Sequence, residues 1–458
     1  MITEHIYAKI SKRYLYAPNK RRGVRLVLSS FERSLTAKNG VKIYSYKNPN
    51  LHGFYISLFL KGGSMYEEQG DEGITHFLEH VLVRNVNKLF SGRLYSELDR
   101  LGIEFNASTY AEMVQFYVCG ADKNFCRGAE IISKLLCPIA LTREEIDTER
   151  RRIKAEIREN DDKNSMSAFA MQTVYPGTTL KNYITGTAKS VSKITRSRLE
   201  KYRRDVFTGE NVFLYVTGSF TEEDILDLSE KIGAATLFGA VPKRDNVAPV
   251  PQNFLKRDAN VALKNDDFTM VRFNFDIDMS RVSSPVIDVI YDNLFSGYNS
   301  PFFIKMSEER GIFYDISGAV ERYKNIGMLY FSFEVREAAI YDAVSMSVEI
   351  LNSFMSAPLE EGALMKAGYV DNAQMLYDDL RESNFTLAYD SHILDLGYPS
   401  LASRRAVYEK ITAEDVRRGA CEIFSPKNLT LTVKGKKKKI DTERIREILL
   451  TLGKKLTR

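Results

Sequence analysis

Ile194-Thr-Arg-Ser-Arg-Leu-Glu-Lys-Tyr-Arg-Arg-Asp-Val-Phe207, followed by Asn211-Val-Phe-Leu-Tyr-Val-Thr-Gly218, returns 217 positions later as Ile411-Thr through Phe424 and Asn428-Leu-Thr-Leu-Thr-Val-Lys-Gly435. At the same offset the strand-like Phe54-Tyr-Ile-Ser-Leu-Phe-Leu60 meets Val271-Arg-Phe-Asn-Phe-Asp-Ile277. Recurrence over so long a distance marks duplication of a whole folding unit. Each copy mixes alternating strands with amphipathic helices. The expected fold is therefore α+β, with two homologous domains, each an antiparallel-rich sheet with helices packed on one side. Pro242, Pro249 and Pro251 punctuate the stretch between the copies, which reads as a linker. The expected boundaries are a basic extension over 1–34, a first domain over 35–238, a linker over 239–253 and a second domain over 254–458.

At 458 residues the chain is too long for a single core, and 44% hydrophobic residues is ordinary for a globular protein. Sixty-five Lys and Arg against 60 Asp and Glu leave a net charge of +5, too mild to call for nucleic acid. Cys119, Cys126, Cys137 and Cys421 form no C-x-x-C pair and no disulfide framework, so reduced thiols are expected. No run of 18 apolar residues predicts a membrane span, and the amino terminus lacks an apolar signal region. A cytoplasmic protein with no membrane partner is the expectation. Residues 1–34, basic and poor in acids, leave an organellar presequence as the minor alternative. Lys434-Gly-Lys-Lys-Lys-Lys439 reads as a solvated connection, and His5, His52 and His392 have no neighbouring ligand pattern.

The chemistry concentrates in Gly73-Ile-Thr-His-Phe-Leu-Glu-His80, which holds two of the five histidines. On a helix His76, Glu79 and His80 share an arc of roughly 100°, while Ile74, Phe77, Leu78, Val81 and Leu82 cluster opposite, so the polar trio faces away from the core. Histidines at i and i+4 reach one tetrahedral ion at about 2.0–2.1 Å, and a carboxylate one turn from the first is placed to accept a proton from water there. The H-x-x-E-H order is the inverse of the thermolysin type. A polar helix face that happens to carry two histidines is the alternative. A catalytic zinc takes three protein ligands. The best third candidate, Glu156, lies in Thr142-Arg-Glu-Glu-Ile-Asp-Thr-Glu-Arg-Arg-Arg-Ile-Lys-Ala-Glu-Ile-Arg158, which opens with a Thr142/Glu145 capping box. Ile146, Ile153 and Ile157 form its apolar stripe, and Glu149 and Glu156 run along the border two turns apart. Taken alone, these two carboxylates read as solvated partners of the many arginines.

With these residues in place the chain resembles the pitrilysin/insulinase family of inverzincin peptidases, in particular half-length subunits like mitochondrial processing peptidase and its bacterial relatives. The resemblance runs from about Leu35 to the end. It rests on H-x-x-E-H, on Glu156 following His80 by 76 positions with Glu149 seven earlier, and on Lys61-Gly-Gly-Ser-Met-Tyr66, Leu101-Gly-Ile-Glu-Phe-Asn-Ala-Ser-Thr109 and Gly186. It implies that His76, His80 and Glu156 bind Zn2+, that Glu79 is the general base and that Glu149 supports the ligands. It also implies a peptide substrate lying as an added strand beside Phe105–Thr109, with contacts at Asn106 and Ala107. Without the family, Asn106 reads as a turn or strand-end residue.

The 217 offset places Asn293, Ser296 and Gly297 opposite the motif positions, so the second copy is expected to carry no metal site. In the family, substrate sits in a chamber between two halves of a clamshell, one bearing zinc and the other supplying an Arg and a Tyr seven residues apart. Here Tyr314 holds the tyrosine place, but Ser307 stands where the arginine is expected, and Arg310 is three residues further on. The resemblance thus implies a zinc endopeptidase subunit acting on unfolded peptides or precursor leaders, as the catalytic member of a heterodimer whose partner supplies the Arg/Tyr pair. A self-sufficient homodimer and a non-catalytic, peptide-binding scaffold subunit are the alternatives.

Overall fold

Strand β3, Gly53–Leu60, is buried at all eight positions, which a strand achieves only when both faces of its sheet are covered. The computed structural model describes residues 32–160, 164–237, 239, 241–313, 315–360 and 363–454. Residues 1–31 of the expected extension, His5 and Tyr314 lie outside the described residues; Arg33 and Ser34 already belong to the first strand.

Two sheets account for the strands. The first contains β1 (Arg33–Thr36), β2 (Lys42–Lys47), β3, β4 (Glu104–Thr109), β5 (Val114–Ala121) and β6 (Val212–Gly218), in the order β1-β2-β6-β3-β5-β4. The second contains β7 (Asn260–Asn265), β8 (Met270–Asp278), β9 (Ser317–Arg322), β10 (Ile326–Glu334) and β11 (Leu429–Gly435), in the order β7-β11-β8-β10-β9. Apart from β1 the two orders are the same, and the fold is α+β. Each sheet is antiparallel except for one parallel pair, β2 with β6 and β7 with β11. β6 and β11 begin at Val212 and Leu429, so the sequence offset of 217 holds through them.

The offset fails at the helix that follows β3. The motif helix, Ile74–Leu89, has its counterpart in Ser284–Phe295, which starts 210 positions after Ile74. Residues 61–73 connect β3 to the first helix, but only 279–283 connect β8 to the second. Asn293, Ser296 and Gly297 therefore sit at the end of that helix, not in its early turns. Counted from the helix starts, the motif positions meet Val286, Val289 and Ile290, of which the last two are fully buried. None of the three is a metal ligand, and among the described residues only one cluster of His, Cys, Asp and Glu groups has metal-binding spacing.

The expectation of helices on one side is also corrected. The inner face of the first sheet, with Phe54, Ile56, Leu58, Leu214 and Val216, packs with Phe77, Leu78 and Val81 of the motif helix. Its outer face, with Phe59, Phe213 and Tyr215, is covered by Tyr377, Leu387 and Ala388 from the second half of the chain. Asn384, buried within helix Leu380–Ala388, accepts from Ser57 Oγ at 2.6 Å and donates to the strand carbonyls of Tyr55 (3.1 Å) and Tyr215 (2.9 Å). Reciprocally, helix Met166–Val174 of the first half lies against β8 and β11, and Val174 and Tyr175 pack on Met328. These two helices occupy nearly equivalent places in the repeat, so each half clasps the other's sheet with its own copy of one element. An aromatic, two-sided strand is the sequence trace of that exchange.

The four cysteines are unpaired. His392 stacks on Tyr44 with ring centroids 3.6 Å apart and meets both oxygens of Glu32 at 3.1 Å, while His52 is exposed. Among the described residues no helix is long and apolar enough to cross a membrane.

Candidate metal centre

The motif helix starts on Gly73, whose φ of +88° a side chain would strain. A Cβ there would lie 2.6 Å from Thr185 O, and one on Gly186 (φ +69°) would lie 2.3 Å from Glu72 O. The two glycines make the close crossing that brings the helix start against the Thr185-Gly186 turn. Glu67 caps the same helix end from outside it. Its carboxylate, 4% exposed, accepts Gly73 N and Thr75 N, both at 2.9 Å. Burial pushes the Glu67 carboxyl up to about 7 against the pull of those two N–H groups. Thr75 Oγ1 pairs with Tyr202 Oη at 2.9 Å, fixing the first turn from a third side.

The second helix, Arg143–Glu159, opens with the expected capping box: Glu145 N donates to Thr142 Oγ1 (3.2 Å) and Thr142 N to Glu145 Oε2 (2.7 Å). Ile146 and Ile153 are buried, and Arg150 lies over the Phe77 ring at 5.0 Å while donating to Val191 O and Ile194 O. Glu149 and Glu156 therefore face the motif helix. The polar trio does not look into open solvent, as the helix pattern alone suggests. His76 is 8% exposed, and Glu79 and His80 are half-buried between the second helix and β4.

Glu156 Oε1 lies 3.7 Å from His76 Nε2, and its Oε2 lies 3.5 Å from His80 Nε2. Atoms sharing a tetrahedral ion at about 2.1 Å stand about 3.4 Å apart, so these spacings fit the edges of a zinc site. One atom from each of the three residues lies within 4.8 Å of the others. Glu149 faces the far side of the His80 ring, Oε2 to Nδ1 at 3.4 Å, and receives Arg84 Nη1 on Oε1 at 2.6 Å. Glu79 Oε2 accepts the hydroxyl of Thr109, the last residue of β4.

Burial pushes the His76 ring toward its neutral form, helped by the adjacent His80. His80 moves the other way: burial opposes its charge, but Glu149 and Glu156 outweigh it. Burial raises Glu79, partly offset by Thr109 and His80. Glu156 is held below its ordinary range by its His80 contact despite some burial, and Glu149, although buried, is brought to about 2 by His80 and Arg84. A neutral His76 ring, two ionised carboxylates from the second helix and a half-buried glutamate on the motif helix form a donor set suited to a divalent ion and to proton transfer next to it.

Asn106 and Ala107 lie within β4, the outermost strand of its sheet, with Asn106 exposed and its Oδ1 accepting Ala107 N at 2.8 Å. Asn106 is thus a strand residue, not a turn. Ser307 falls in a π-helical turn, Phe303–Glu308, and Arg310 beyond it is exposed.

Two family models match: insulinase, peptidase family M16, over residues 42–188, and the peptidase M16 inactive domain over 193–367. The chain belongs to peptidase family M16. An uncharacterized zinc protease of Rickettsia bellii is 24% identical over 403 residues, covering 85% of this chain and 94% of that protein. The mitochondrial-processing peptidase subunit beta of Rattus norvegicus is 27% identical over 208 residues, 45% of this M16 chain and 42% of that subunit. Among solved structures, a protease from Helicobacter pylori superposes with a TM-score of 0.76 at 17% identity, covering 89% of this chain and 99% of that one. A putative M16-like peptidase from Alicyclobacillus acidocaldarius gives 0.75 at 18% identity, covering 90% and 100%. These likenesses show that the M16 fold extends over about nine-tenths of the chain.

Thr109, Glu67 and Arg84 are site residues that sequence reasoning passed over. Nothing in residue type sets Thr109 apart from Ser108 beside it in the strand segment. Glu67 precedes its partners by six and eight positions, a spacing with no helical meaning, and Arg84 sits one turn after His80 where a solvated charge is the default.

Proposed function

We propose that this M16 chain is a zinc-dependent endopeptidase subunit that cleaves unfolded peptides or precursor leaders. The observation that carries the reading is the convergence of His76, His80 and Glu156 from two helices at tetrahedral spacings, with Glu79 beside them. Those three residues would hold zinc, which when bound would supply Lewis-acid polarisation of the scissile carbonyl and of the attacking water. Glu79 accepts the proton from that water and returns it to the departing amine nitrogen; its half-buried carboxyl, raised by burial, suits both directions of transfer. Glu149 holds the His80 ring through Nδ1. The free edge of β4, with Asn106 and Ala107, offers main-chain hydrogen bonds to an extended substrate, which gives affinity with little demand on sequence.

We propose further that the active assembly is a heterodimer, with a partner of the same fold completing the chamber. Ser307 cannot supply the fixed bidentate donor expected at its place, a donor typically worth a few kcal/mol when it holds developing oxyanion charge. The exposed Arg310 supports a second reading, a homodimer in which that side chain substitutes. Cleavage of a quenched peptide library by the purified chain, alone and with a co-purifying homologue, tests both. Activity only in the mixture supports the heterodimer, and robust activity alone supports the homodimer. Absence of zinc and of cleavage in either preparation would leave a scaffold subunit.

A further inference from the structure

Glu149 keeps 1% of its side-chain exposure, and its three charged neighbours are unequal. Arg152 Nη1 stands 3.5 and 3.4 Å from its two oxygens, but two-thirds of the Arg152 side chain is in solvent, where its charge is screened. His80 Nδ1 faces Oε2 at 3.4 Å. Arg84 makes the short contact, Nη1 to Oε1 at 2.6 Å, and is 31% exposed. His80 and Arg84 are four residues apart on one helix, so backbone geometry sets the gap between ring and guanidinium, and Glu149 fills it.

The arrangement braces one histidine only. His76 Nδ1 is buried with no hydrogen-bond partner among the described residues, whereas the His80 ring is oriented through Glu149. A buried carboxylate that loses one charged neighbour is left with an uncompensated oxygen, a costly state that favours any arrangement bringing another cation to it. With a divalent ion beside the same ring, that cation is the metal.

We infer that Arg84 is a positioning residue for the metal centre. By occupying Glu149 Oε1 it keeps that carboxylate turned toward His80 Nδ1, so that His80 presents Nε2 to the ion and Glu156 remains the single carboxylate ligand. The inference rests on the zinc reading above. It assigns to Arg84 a task that neither the charge pattern of the helix nor the H-x-x-E-H spacing discloses.

The test uses the full chain and reads the metal, not turnover. The zinc dissociation constant is measured by competition with a chromophoric chelator, and the visible absorption of the Co2+-loaded protein reports coordination number. Arg84→Met is expected to weaken zinc roughly 10- to 100-fold, the usual range for losing an outer partner of a metal ligand. It is also expected to lower the intensity of the Co2+ bands as a further carboxylate enters the coordination sphere. Arg84→Lys, which keeps a charge of the same sign, should recover most of the affinity, and Arg152→Met should change it less than about threefold, as suits a screened surface pair. Wild-type affinity and an unaltered Co2+ spectrum in both Arg84→Met and Arg84→Gln would overturn the inference while leaving zinc binding intact. A wild-type chain that holds no zinc would instead overturn the zinc reading, and this inference with it.

Discussion

Thr109 donates its hydroxyl hydrogen to Oε2 of Glu79, joining the end of the outermost strand β4 to the second turn of the motif helix. The strand proposed to receive substrate is thereby in contact with the carboxylate proposed to move the proton. A hydrogen bond to a charged group contributes about 1.5–3 kcal/mol. Thr109→Val, of nearly the same shape, is therefore expected to lower kcat about 10- to 100-fold with little change in KM, and Thr109→Ser to restore it. Steady-state kinetics on one peptide, with zinc content measured in parallel, checks the pair.

Glu79→Gln preserves volume and the Thr109 contact but cannot accept a proton. Turnover should fall by roughly 10²- to 10⁴-fold, the usual contribution of general acid–base catalysis, while bound zinc stays at the wild-type level by elemental analysis. Loss of zinc in this variant would move Glu79 from the base to the ligand set.

The site was more legible in the sequence than the architecture around it. That Glu149 and Glu156 come to the motif helix from a second one was implied only by the family resemblance, since taken alone the two carboxylates read as solvated, whereas His76, Glu79 and His80 are legible as one face because helical periodicity fixes relative direction within one element. The Thr142/Glu145 cap is local in the same sense. What the sequence did not disclose depends on relations between distant segments. The shortened connection at 279–283 shifts the repeat offset by seven positions and moves Asn293 from the motif place to a helix end. The exchange of helices Met166–Val174 and Leu380–Ala388 between sheets reverses the expectation of a one-sided sheet. Its trace was present in the unbroken burial-prone run of β3, since a strand wetted on one face alternates and this one does not.

That exchange makes its own prediction. Asn384 is the polar centre of the interface between helix Leu380–Ala388 and the first sheet, with three hydrogen bonds and no exposure. Asn384→Leu removes them and leaves Ser57 Oγ to donate elsewhere, so a loss of about 2–4 kcal/mol is expected in urea unfolding. If the two halves unfold together in the wild type, separate transitions in this variant would show the clasp to be what couples them.

Gly186 is expected to tolerate no side chain. Alanine there meets both the φ of +69° and Glu72 O at 2.3 Å, whereas at Gly177, with φ +77°, an added Cβ meets nothing within 4 Å. Gly177→Ala measures the left-handed strain alone, about 1–2 kcal/mol. Gly186→Ala should cost clearly more and, by displacing Gly73 and the start of the motif helix, should weaken zinc binding as well. Equal costs for the two variants would mean that the Gly73–Gly186 crossing relaxes freely.

Glu67 provides a pH-dependent test of how that helix start is held. Burial raises its carboxyl from the ordinary 4.5 to about 7, although Gly73 N and Thr75 N favour the ionised form. Because the folded-state value lies above the unfolded one, the folded chain keeps a proton between about 4.5 and 7 that the unfolded chain has released. The contribution of this group to stability is then fully present below pH 4.5 and is lost as pH rises through 7. At about 1.4 kcal/mol per unit the span is of order 3–4 kcal/mol. Other raised carboxyls, Glu112 and Asp292 among them, titrate in the same region, so the informative quantity is the difference between wild type and Glu67→Gln in the metal-free chain. Urea unfolding at pH 5 and pH 7.5 should show the wild type losing stability relative to the glutamine variant as pH rises. The opposite slope would mean that the two backbone N–H groups outweigh burial, so that the carboxylate, not the acid, is the form that caps the motif helix.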